Sequence, residues 1–98
     1  MLVLRGSLPA RARREYARTL AGEGRLAGGE SAREDAWQRA AELLFERLAV
    51  RWTIAGLPLE RQDELIGRYR MASVDERAWV RDALRDHVAT NFPELQAP

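Results

Sequence analysis

The sequence predicts an all-α fold, a small three- to four-helix bundle with a short apolar N-terminal arm. Three observations predict it. Apolar residues recur at three- and four-residue spacing through four segments of the chain. Two Ser-x-x-Glu pairs, Ser31 with Glu34 and Ser73 with Glu76, stand where helices would begin, and in such a capping box each side chain satisfies a backbone N–H that the helix leaves unpaired. Gly22, Gly24, Gly56, Pro58 and Pro93 fall where the apolar periods break, as helix ends require.

The first element, residues 1–8, reads as an arm. Leu2-Val3-Leu4 is apolar and extended in character. No other segment offers it an evident strand partner, so it either packs as an arm or pairs with its own copy in a dimer. Helix one is predicted over residues 9–21, opening on Pro9, where a missing N–H costs little. Leu8, Ala12, Tyr16 and Leu20 form its apolar row. Residues 22–30 hold four glycines and read as a linker, because backbone entropy opposes a helix at each of them. This stretch lacks both the spacing and the lysine of a phosphate-binding loop and follows a helix rather than a strand.

Residues 31–91 are predicted to form a three-helix core. Helix two is expected to run from Ser31 to about Ala55. Trp37, Ala41, Leu44, Leu48, Trp52 and Ala55 fall within about 80° of arc at 100° per residue. The apolar period outweighs the β-branched character of Val50 to Ile54 in this reading. Helix three is expected from Pro58 to Met71, with Gln62, Leu65, Ile66 and Tyr69 on one face. Helix four is expected from Ser73 to Asn91, with Val80, Ala83, Leu84, His87 and Val88 as its stripe. Connections of a few residues favour antiparallel neighbours. Residues 92–98 read as a tail, frayed from Glu94 onward.

Ninety-eight residues make one domain. A chain of this length buries roughly 60–65% of its unfolded surface, so its margin is thin and association with a partner helps it. Sixteen basic residues, every one an arginine, meet fifteen acidic ones. Near-neutral charge argues against a surface built wholly for nucleic acid or an acidic membrane. The absence of cysteine excludes disulfides, thiolate metal sites and a cysteine nucleophile. No apolar run reaches the roughly 20 residues that span a bilayer, and Met1 to Leu4 is too short for a secretory signal, so the chain is expected to be cytoplasmic with no membrane partner.

Little in the sequence points to catalysis. His87 is the single histidine and sits on an apolar stripe, where a hydrogen-bonded structural role is the ordinary one. Glu42 and Glu46 share a helix face, but the Glu-x-x-His pattern of carboxylate-bridged metal bundles is absent, since Leu84 stands three before His87. No enzyme activity, cofactor or metal is expected.

Binding is the predicted mode of action. Ala36, Leu43 and Val50 recur every seven residues with Ile54 alongside, a second apolar seam on helix two. A helix apolar on two sides is either central in its bundle, covered by helix one, or meets another chain. Trp79 lies off helix four's main stripe, where it either packs at the core's edge or, as a partly covered tryptophan often does, anchors an interface. Helix four also carries two ridges, Asp75, Asp82 and Asp86 on one side and Arg77, Arg81 and Arg85 on another. These features predict a small regulatory, adaptor or subunit module that binds protein, most readily a copy of itself, through Ala36, Leu43, Val50, Ile54 and Trp79. The alternative is a nucleic-acid-associated protein. Residues 1–25 hold six arginines against two glutamates, and Arg11, Arg14 and Arg18 stack on one side of helix one, fit for phosphates or an acidic partner.

Overall fold

A computed structural model describes residues 1–21 and 30–95, with the side chains of residues 30–34 left aside. The chain runs β1 (Leu2–Leu4), α1 (Ala10–Leu20), α2 (Glu30–Leu48), β2 (Ala49–Ile54), β3 (Leu57–Leu59), α3 (Gln62–Arg70) and α4 (Val74–Asn91). The fold is therefore mixed, helices packed with a three-stranded antiparallel sheet in the order β1-β2-β3, and the all-α expectation is corrected. The glycine-rich stretch and the Ser31–Glu34 capping box lie outside the described residues and side chains.

The correction has local causes. The expected helix two stops at Leu48, and residues 49–54 leave it as β2. Val50, Trp52, Thr53 and Ile54 are β-branched or aromatic, types that lose rotamer freedom in a helix and fit a pleated surface. Ala55 (φ 51°) and Gly56 (φ 80°) then both take left-handed backbone, the signature of a two-residue hairpin turn whose twist suits antiparallel strands. Leu57, Pro58 and Leu59 return beside Ile54, Thr53 and Trp52. These three residues form β3, so helix three begins at Gln62 rather than Pro58.

The N-terminal arm is the third strand. Leu2 lies opposite Trp52 and Val3 opposite Arg51. The Met1 amine donates to the Thr53 carbonyl (2.9 Å) and the Thr53 N–H donates back to Met1 (2.8 Å). Leu4 faces Ala49, which leaves Val50 unpaired as a bulge in β2. Because Thr53 spends its backbone groups on Met1, its β3 neighbour Pro58 turns its own toward the free edge, where a missing N–H breaks no ladder bond.

The sheet has two unlike faces. Leu2, Leu4, Trp52, Ile54 and Leu59 point to the helices, while Val3, Arg51 and Pro58 point outward and are exposed. The core joins Leu8, Ala12 and Tyr16 at α1 to Ala40, Leu44, Phe45 and Leu48 of α2, to Leu65 and Tyr69 of α3, and to Val80, Leu84 and Val88 of α4. Phe45 links the layers: it stacks on Tyr69 at 4.8 Å and meets Trp52 edge-on at 5.6 Å. Helix α1 packs on α2 of the same chain.

Two further differences concern single residues. Trp37, expected in the core, is 42% exposed on α2. The chain after α4 is held rather than frayed as far as Leu95. Phe92 is buried beneath the Arg13 guanidinium, which also pairs with Glu94 at 2.5 Å, and the Leu95 N–H donates to the Phe92 carbonyl.

Candidate interaction surface

Exposed large apolar side chains are spread over the described residues, at Met1, Val3, Trp37, Leu57, Met71, Val74 and Trp79, and Trp79 borders a hollow beside the hairpin. Trp79 stands at the sixth position of α4, 51% exposed. Beside it the end of β2 presents Ile54, and the two residues line one hollow of about 420 Å³ with Trp52, Thr53, Ala55, Asp75 and Glu76. Leu57, paired with Ile54 across the turn, and Met1, bonded to Thr53, are both largely exposed. Isolated exposed apolar residues are ordinary, and a half-covered tryptophan beside an apolar hollow is a candidate contact point.

Local structure places each part. The Ser73 hydroxyl accepts from the Glu76 N–H (3.1 Å), and the Glu76 carboxylate accepts from the Ser73 N–H (3.0 Å), the predicted capping box. This fixes the first turn of α4 and so the direction of Trp79, one turn on. The Glu76 carboxylate also takes the Arg68 guanidinium at 2.6 Å, and Arg68 lies over the Trp52 ring at 5.5 Å. The Ser73 backbone bond and then Arg68 hold the Glu76 carboxyl below the usual carboxylate range. Glu76 is thus neutralised on one wall of the hollow, and Asp75 forms no ion pair among the described residues.

The five residues expected at an interface do not form one surface. Ile54 and Trp79 come together. Ala36 is buried on α2, and Leu43 is half-buried against the core. Val50, the bulged residue, lines a separate groove with Arg5, Ser7 and Pro9. The seven-residue seam is broken because α2 ends before Val50. Arg11, Arg14 and Arg18 all stand exposed on α1, and Arg11 and Arg14 enter no ion pair among the described residues. The hairpin wall of the hollow escaped the sequence reading, and the Ala55-Gly56 pair between two apolar runs was the signal for it.

His87 is tied into the scaffold. The Asn91 carboxamide approaches Nδ1 at 3.2 Å as donor, which leaves Nε2 to donate to the Arg5 carbonyl at 2.5 Å. The ring also meets Phe92 edge-on at 6.0 Å. Glu42 is held by both Nε and Nη2 of Arg70, at 2.8 and 2.6 Å. Among the described residues no three His, Asp or Glu side chains cluster as metal ligands, and no helix is long and apolar enough to cross a membrane.

The described residues define a small helix-and-sheet domain in which an exposed tryptophan borders a hollow between the hairpin and α4. Compared with family models, curated proteins and solved structures, the chain matches none.

Proposed function

We propose that the protein is a small interaction module that pairs with a second copy of itself through the Trp79 hollow. The observation that carries this reading is the half-exposed Trp79 ring facing Ile54 across a shared apolar hollow. Covering the exposed half of this side chain contributes on the order of 1 kcal/mol. Leu57, opposite Ile54 on the same face of the sheet, extends the apolar area along the hairpin. The β1 edge adds to it, since β1 has a strand on one side only and carries no proline.

Sedimentation equilibrium from low to high micromolar concentration tests the proposal. The mass should rise from one chain toward two, and Trp79→Ser should hold it at one chain while leaving the helical circular dichroism intact. A single-chain mass at every concentration, or a Trp79→Ser variant that associates as the parent does, rejects it.

A second reading rests on Arg11 and Arg14, exposed on α1 and in no ion pair among the described residues. A phosphate backbone along α1 would bind with steep salt dependence, and Arg14→Glu would weaken that binding. No retention of the chain on a phosphate matrix at low salt removes this alternative.

A further inference from the structure

A second hollow, of about 240 Å³, lies between α2 and α4 and is lined by Gln38, Glu42, Tyr69, Arg77, Ala78 and Arg81 together with Val74. Its charge is unbalanced. Glu42 is the sole carboxylate on the wall, and Arg70 already engages it with two nitrogens from outside the lining set. Arg77 and Arg81 stand one helical turn apart, and neither enters an ion pair among the described residues. By contrast Arg13, Arg47, Arg51, Arg61, Arg68, Arg70 and Arg85 each have a carboxylate partner.

Arg77 and Arg81 share the hollow with Tyr69. Tyr69 is only 5% exposed, yet it lines this hollow, so its small accessible surface opens there. Burial pushes its phenol pKa up, the nearby positive charges of Arg81 and Arg77 pull it back down, and the Glu42 carboxylate adds a smaller upward push. Gln38 adds a carboxamide donor on the facing helix. Two arginines, a tyrosine and a glutamine lining one small hollow suit one compact oxyanion, and guanidinium forks match phosphoryl oxygens in charge and spacing.

We propose that this hollow is a binding site for a phosphoryl dianion, held by Arg77 and Arg81 with Tyr69 and Gln38 as neutral donors. The Arg70–Glu42 pair keeps the one nearby carboxylate from occupying the arginines itself. This site is independent of the Trp79 surface, since Trp79 does not line it.

The test is an amide-resolved NMR titration of the full chain with inorganic phosphate and, separately, with O-phosphoserine, against sodium chloride at matched ionic strength. Saturating shifts should centre on Gln38, Tyr69, Arg77, Ala78 and Arg81. Arg77→Gln and Arg81→Gln should each weaken binding by roughly tenfold or more, the loss of one charge-assisted bond. Glu42→Gln should tighten it, which distinguishes a charge-built site from damage to the fold. Tighter binding of O-phosphoserine marks a phosphomonoester as the natural ligand, and equal binding marks free phosphate. Shifts that chloride reproduces, that never saturate, or that survive in both arginine variants overturn the proposal.

Discussion

Tyr16 shows how one buried side chain sets a property of the chain. It lies on the core face of α1, 1% exposed, and burial raises its phenol pKa because the charged form would lose its water. An unfolded tyrosine ionises near pH 10. Below that pH both states keep the proton and the group contributes no slope. Above it the unfolded chain releases a proton that the native chain retains, so stability falls by about 1.4 kcal/mol per pH unit for each such group. Tyr69 adds to the effect in the same direction, reduced by Arg81 and Arg77. Urea midpoints should therefore drop steeply as pH rises above about 10, and Tyr16→Phe should show a shallower fall whatever its stability at neutral pH. Equal slopes in parent and variant would mean that Tyr16 ionises in the native state without penalty.

At the scale of elements, the β2–β3 hairpin governs both fold and surface. Ala55 sits at φ 51°, a left-handed backbone that costs a residue with a Cβ about 1–2 kcal/mol. Asparagine is far better tolerated at that turn position. Ala55→Asn should raise the urea unfolding free energy by about 1 kcal/mol with an unchanged denaturant slope. A neutral or negative effect would show that the turn is not left-handed at that residue. The same hairpin explains what could be read beforehand. Leu48 and Trp52 are four apart, and at that spacing a helix and a strand both return a side chain to nearly the same face. Trp52 thus reaches the core either way, and the apolar period ran on past the true end of α2. The β-branched residues and the Ala-Gly turn carried the contrary signal. The arm's partner lies about fifty residues away, and no local pattern encodes such pairing. Capping at Ser73 and Glu76, the face of α1 and the extent of α4 are set by neighbours within one or two turns, so they were legible. The sequence singles out Ile54 and Trp79 one by one, but their meeting at one hollow depends on a turn that a continuous helix would not contain.

Over the whole molecule, Phe45 determines whether sheet and helices are one cooperative unit. Its ring touches Tyr69 of α3 and Trp52 of β2 while its backbone belongs to α2, so three elements share one fully buried side chain. Emptying that position would cost about 3–5 kcal/mol, comparable with the whole stability of a small domain. Phe45→Ala should then leave the chain without a cooperative melt. Phe45→Leu keeps most of the volume and gives a variant that still folds, weakened by about 1 kcal/mol. In that variant the helical far-ultraviolet signal and the tryptophan fluorescence should melt at the same temperature, as one two-state transition. The reason is geometric. With Trp52 packed on Phe45 and Arg68, the sheet has no apolar face it can bury without the helices, and a sheet of three short strands does not stand alone in water. A fluorescence transition that precedes the loss of helix would instead make the sheet a separately melting layer, and Phe45 merely one core residue among several.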